Sequence, residues 1–197
     1  KEEYTAAGIE EIRKGRIGAV LLAGGMGTRL GSECPKGMFD IGMTKPVYIF
    51  QRIIENMLDV VRQAGAWVHL FVMTSDKNHD TTVKFFEEKG YFGYSKDYVS
   101  FFVQDVVPAS DYDGKVYMEE KWKISTSPNG NGGWFSSMNK CGLLDIVREG
   151  DIEWLNVFAV DNVLQRIADP CFIGATLVNG CVAGAKVVRK NSPDERV

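Results

Sequence analysis

"IGAVLLAGGMGTRLGSECPKG", Ile17 to Gly37, joins an unbroken apolar run to a glycine-rich turn that carries two cations. Ile17–Leu22 has the length and apolar continuity of a strand buried on both faces, the pattern of a parallel sheet. The turn after it lacks side chains where a backbone must come close to something. Gly24, Gly25 and Gly27 have no Cβ, so a phosphate or a flat base can approach the main chain. Successive N–H groups there can form an anion-binding concavity. Arg29 offers two parallel donors to phosphate oxygens, Lys36 adds a point charge, and Pro35 stiffens the chain just before it. Two regular phosphate loops fail at fixed positions. G-x-G-x-x-G would need glycine where Leu30 stands, and the Walker spacing counted from Gly31 meets Lys36 where its second glycine belongs. A tight turn with two solvated cations is the plain alternative. The cations, the proline and the length of the stretch favour binding over it.

Outward from this stretch, strand and helix signals alternate. "GIEEIRKG" reads as a short amphipathic helix before the strand. "PVYIFQRIIENMLDVVRQAG" repeats apolar residues at helical spacing and stops at Gly65. "WVHLFVMTS" is the next strand, and "DKNHDTTVKFFEEKGYFG" supplies a polar N-cap, a helix and a stop at Gly90. "VSFFVQDVVPA" is strand-like. "DYDGKVYMEEKWKIS" predicts a hairpin about Asp113-Gly114. A second glycine-rich loop, "STSPNGNGGWFSSM", leads into a helix predicted over Trp134 to Arg148. "IEWLNVFAVDN" is another buried strand, ending at Asp161. Asp161 could instead cap a helix over "NVLQRIAD". This alternation predicts an α/β fold, Rossmann-like, with a mixed, mostly parallel sheet and helices on both faces. In such sheets ligands bind at the carboxyl ends of strands, which is where the Gly24–Gly31 loop, Thr74-Ser75, Gln104 and Asp161 fall.

The totals narrow the function classes. A chain of 197 residues, 45% hydrophobic and 25% charged, has the composition of an ordinary globular domain. A net charge of −3 leaves no global basic field for nucleic acid, so any polyanion must be held by local cations and backbone N–H groups. Cys34, Cys141, Cys171 and Cys181 form no C-x-x-C pair, which favours free thiols in a reducing cytosol over a disulfide framework or zinc knuckle. His69 and His79 stand apart from each other and from the cysteines and read as structural or solvated. No apolar run approaches the ~18 residues of a membrane span, and the charged start lacks a signal-peptide core. That start also lacks an initiator Met and the end is polar, so both ends read as cuts in a longer chain. We expect one domain over residues 1–197.

L-A-G-G-x-G-T-R-L-G followed by P-K-G closely resembles the signature of the eukaryotic-type UDP-sugar pyrophosphorylases, and within them the UDP-N-acetylhexosamine pyrophosphorylase branch. The resemblance is collinear along nearly the whole chain: "VMTS", "FFEEKGYFG", "VQDVVPA", "DGKVYMEEKWKIS", "PNGNGGWFSSM", "VFAVDNVLQRIADPCFIG" and "CVAGAKVVRK" follow in order. It implies a fold of the nucleotide-diphospho-sugar transferase type, of which residues 1–197 are the N-terminal part of the catalytic domain. It also implies that Leu22, Ala23, Gly24 and Gly25 contact uridine, that Gly27, Thr28 and Arg29 face the triphosphate, and that Lys36 holds phosphate. Gln104 matches the glutamine that reads the uracil edge, a task suited to an amide with donors and an acceptor. Gly130 matches a backbone contact to the base and Asn131 a contact to the sugar. The family has an acid where this chain has Asn129, so no charge-dependent role carries over to that position. Asp161 matches the acid that holds Mg²⁺, a hard oxygen ligand for a cation that keeps few protein ligands. Lys186, in "GAKVV", reads as an exposed strand residue outside this set.

The implied reaction is uridylyl transfer between UTP and a sugar 1-phosphate, with N-acetylglucosamine 1-phosphate favoured and glucose or galactose 1-phosphate as alternatives. Arg29 and Lys36 are the expected catalytic cations and Mg²⁺ the expected cofactor. A non-catalytic nucleotide-binding domain of the same fold is the competing reading. A Rossmann dehydrogenase is disfavoured, because "HLFVMTS" ends without the ribose-binding acid. Oligomeric state is not legible.

Overall fold

The computed structural model describes residues 1–28, 31–190, 192 and 194. Helix α1 (Glu2–Arg13) precedes strand β1 (Ile17–Leu22), and α2 (Ile49–Ala64) leads to β2 (His69–Thr74). Helix α3 (His79–Glu88) follows, then β3 (Val99–Val103). An arm of short strands comes next: β4 (Val106–Pro108), β5 (Met118–Glu120), β6 (Lys123–Ile124) and β7 (Thr126–Pro128). The chain returns through α4 (Trp134–Lys140) and α5 (Leu144–Glu149) to β8 (Trp154–Ala159) and α6 (Pro170–Val178).

The central sheet has the order β3-β2-β1-β8, with every pairing parallel. Leu22 sits opposite Met73 on one side and Ala159 on the other. The strands run apolar on both faces, as a sheet covered on both sides requires. Ala19, Leu21, Leu70, Val72 and Phe158 face a core completed by α2, whose Phe50, Ile53, Ile54, Met57 and Val60 recur at helical spacing. Val20, Phe71, Met73 and Phe102 face the opposite core, closed by Met138 of α4 and by Leu144 and Val147 of α5. Helices therefore cover both faces, as expected. The mixed character lies outside the central sheet, in the antiparallel pairs β4–β7 and β5–β6.

Strand order reverses at β1. From there the chain builds outward through β2 and β3, then returns to place β8 on the other flank of β1. A crevice opens at such a reversal, beyond the carboxyl ends of the strands, because the connections leave in opposite directions.

Four local expectations need correction. The first helix is longer than "GIEEIRKG". "VSFFVQDVVPA" forms two strands, because the N–H of Asp105 donates to Ser137 Oγ (3.0 Å) and its carbonyl accepts from Asn129 N (3.0 Å), ending the ladder at Gln104. The turn at Asp111–Gly114 forms (Asp111 N to Lys115 O, 3.0 Å), but the arm folds back a second time at Trp122, so β5 pairs with β6 while β4 pairs with β7. The helix predicted over Trp134 to Arg148 is two helices. Gly142 adopts φ 73°, a left-handed conformation that stops α4 before α5 begins.

Candidate active site

The glycine loop leaves the sheet at the end of β1 and closes on itself. Lys36 N donates to Gly25 O (3.2 Å), and Gly27 N to Cys34 O (2.9 Å), so the excursion between them begins and ends beside the sheet. One 3₁₀ turn, Lys36–Met38, continues from there, and Gly37 lies flat against the Phe50 ring: a Cβ on it would stand 2.2 Å from Phe50 Cζ. The backbone carrying Lys36 is thereby packed on the core.

Next to this loop is a cleft of about 230 Å³, lined by Leu22, Gly24, Gly25, Lys36, Gln104, Pro128, Gly130, Asn131, Ala159, Val160 and Asp161. It lies at the strand reversal, fed by the ends of β1, β3 and β8. The structure thus gathers eight of the sequence-predicted residues around one space: Leu22, Gly24, Gly25, Lys36, Gln104, Gly130, Asn131 and Asp161. Ala23 is buried beneath the loop. Gly27 is packed against Ser32 and Cys34, and Thr28 is exposed beyond it; neither lines the cleft. Arg29 lies outside the described residues.

Gln104 is buried, and its Nε2 donates to Gly130 O (2.8 Å). Its Oε1 lies so close to Gly24 that a Cβ there would approach within 2.8 Å. A side chain at Gly24 would therefore have to displace the Gln104 amide, and Gln104 couples the glycine loop to the second loop. That second loop is pinned from behind: Ser137 Oγ donates to Gly133 O (2.9 Å) while accepting from Asp105 N. Asn129 folds its amide against Gly133.

Across the cleft, Lys36 Nζ donates to Asp161 Oδ1 in an ion pair between residues far apart in the chain. The Asp161 side chain is open to solvent and Lys36 largely covered, an arrangement that contributes about 0–1 kcal/mol at most to stability. No helix follows Asp161, so it is not an N-cap. Its carboxylate stays a hard oxygen donor facing the cleft. Among the described residues no group of three or more His, Cys, Asp or Glu could enclose a metal by itself. One carboxylate fits a cation whose other ligands are water and substrate phosphate.

Sequence reasoning did not single out Asn78, which stands at the N-cap position of α3. Its side chain caps no helix and turns instead toward the glycine loop, where Nδ2 donates to Ala23 O (3.0 Å) and Gly25 O (3.4 Å). A larger cavity, about 480 Å³, runs along the outer edge of β8 between Trp154–Val157 and Val182–Lys186. It contains none of the loop residues. Lys186 lies there in irregular chain, paired with Asp169 (2.7 Å). His69 stacks on Phe71 (4.5 Å), His79 bonds Thr74 (2.8 Å), and the four cysteines are unpaired thiols. No helix among the described residues is long and apolar enough to cross a membrane.

Comparison with known proteins follows the same line. UDP-N-acetylglucosamine diphosphorylase 2 of Arabidopsis thaliana is 38% identical over 100% of this chain and 41% of its own length. UDP-N-acetylglucosamine pyrophosphorylase of Saccharomyces cerevisiae is 37% identical, again over 100% of this chain and 42% of the relative. The chain thus spans about two-fifths of the length of these curated relatives. The crystal structure of uridine diphosphate N-acetylglucosamine pyrophosphorylase from Trypanosoma brucei, in complex with an inhibitor, superposes with a TM-score of 0.92 at 35% identity, covering 100% of this chain and 42% of that one. Residues 7–197, from α1 through both cleft loops and past β8, match the family described as UTP–glucose-1-phosphate uridylyltransferase, and the chain belongs to that family.

Proposed function

We propose that the protein of which this chain is a part transfers a uridylyl group from UTP to a sugar 1-phosphate, N-acetylglucosamine 1-phosphate foremost, releasing pyrophosphate. The observation that carries this reading is the single cleft at the strand reversal, where a backbone loop, a buried amide, a cation and a carboxylate converge. The names of the relatives favour the N-acetylated sugar, and the family description keeps glucose 1-phosphate as the second substrate to test.

An oxygen of the sugar phosphate attacks the α-phosphorus of UTP. The new P–O bond forms as the bond to the bridging oxygen breaks, and pyrophosphate carries away the electron pair. Such a reaction needs no protein nucleophile. It needs two polyanions aligned and their growing charge neutralised. Leu22, Gly24, Gly25, Gln104 and Gly130 hold the uridine, with Ala23 supporting the loop from beneath. Asn131 faces the sugar. Gly27 closes the loop that carries Thr28 and Arg29, the residues assigned here to the triphosphate, and Lys36 exchanges its Asp161 partner for phosphate when the nucleotide enters. Asp161, released by that exchange, is the residue that would hold Mg²⁺, which supplies charge neutralisation on phosphate oxygens when bound. A cytosolic setting accords with the four free thiols.

The test is pyrophosphate release by the full-length gene product, with UTP, Mg²⁺ and a panel of sugar 1-phosphates. N-acetylglucosamine 1-phosphate should give the highest kcat/KM. No release with any member of the panel contradicts the reading.

A further inference from the structure

We propose that Asn78 is a positioning residue of the nucleotide site, holding the glycine loop from behind so that its backbone donors face the cleft; this rests on the nucleotide-binding reading above. Asn78 is fully buried in the turn between β2 and α3. Its amide has three partners on two segments. Oδ1 accepts from Ser75 N (2.8 Å), which fixes the side chain to its own turn. Nδ2 then reaches Ala23 O (3.0 Å) and Gly25 O (3.4 Å), on either side of Gly24.

The consequence follows from the planarity of the peptide group. In a trans peptide the N–H points opposite to the carbonyl before it, and the described chain contains no cis bonds. Holding Ala23 O toward Asn78 turns Gly24 N–H away from it, and holding Gly25 O does the same for Met26 N–H. Gly24 and Gly25 line the cleft, whereas Asn78 does not. Among the described residues no protein group accepts from the N–H of Gly24, the cleft-lining donor that this clamp orients, although Ala23 N, Gly27 N and Lys36 N are all engaged. That donor is open to a ligand. Lys36 N also holds Gly25 O from within the loop, whereas Ala23 O has Asn78 as its partner. Gly24 could otherwise swing that peptide plane at little cost, so a clamp outside the loop keeps its N–H ready before the ligand arrives.

The experiment compares the full-length protein with Asn78→Asp and Asn78→Thr. Asp keeps the acceptor for Ser75 N and replaces the two-carbonyl donor with an acceptor that repels them. Thr keeps one hydroxyl donor in a similar volume. Asn78→Asp should raise the Kd and KM for UTP by about tenfold or more, as expected for two lost hydrogen bonds. KM for the sugar 1-phosphate should stay within about twofold, and Asn78→Thr should fall between, with a loss of about threefold. Hydrogen exchange without ligand gives an independent reading: it should rise across residues 24–36 in Asn78→Asp and stay unchanged across residues 17–22. If Asn78→Asp does not fold, Asn78→Thr carries both measurements. Unchanged UTP affinity and unchanged exchange in the folded variant would overturn the proposal, as would equal losses for both substrates. Wild-type protein that binds no UTP contradicts the nucleotide reading instead, and the exchange data then decide whether Asn78 holds the loop.

Discussion

His69 shows how one residue can matter to the fold and not to the site. Its ring lies against Phe71 and bonds Ser100 Oγ (2.9 Å), and burial pushes its pKa down to about 4 from the usual 6.5. The folded imidazole therefore stays neutral where the unfolded one takes a proton. Stability from this residue is intact above pH 6.5 and is lost as pH falls toward 4. His69→Phe keeps the stacking and removes the titration. In urea unfolding between pH 7 and pH 4.5, the wild type should lose about 1–2 kcal/mol more than the variant, a figure reduced for the solvent that still reaches the ring. Parallel losses would remove His69 from this role. Both histidines read as structural or solvated in the sequence because they stand apart from each other and from the cysteines; in the fold His69 lies against Phe71 and His79 bonds Thr74. Asn78 was not legible in the same way. Its role depends on carbonyls of the loop that follows β1, more than fifty residues earlier in the chain, which no local spacing encodes.

At the scale of elements, Gly24 carries the coupling between the two loops of the cleft. Gly24→Ala would place a methyl carbon 2.8 Å from Gln104 Oε1 and force that amide off Gly130. UTP affinity should fall by about tenfold and stability by about 1–2 kcal/mol, read by equilibrium binding and thermal unfolding. Wild-type affinity in this variant would mean that the Gly24–Gln104 contact does not shape the site. The long periodic elements were legible: β1, α2 and β2 lie where the apolar pattern puts them, α2 ending at Gly65. What local pattern missed were interruptions set by distant groups. Ser137 and Asn129 end β3 by capturing the backbone of Asp105, and left-handed Gly142 divides a helix that periodicity alone would join.

At the scale of the molecule, strand order explains why residues far apart in sequence share one cleft. The reversal at β1 brings Gly24, Gln104 and Asp161 to the same end of the sheet. Alternation of strands and helices was enough to expect this, since it implies a parallel sheet with its ligand at the carboxyl edge. The Lys36–Asp161 pair was not foreseeable, because only the folded chain shows the cation and the acid neutralising each other. A crystal structure of the full-length protein with UTP decides whether the cleft is the nucleotide site. Uracil should lie against Gln104 and Gly130, with the phosphates on Lys36 and the glycine loop. A nucleotide bound elsewhere, with the Lys36–Asp161 pair undisturbed and the cleft empty, would contradict it.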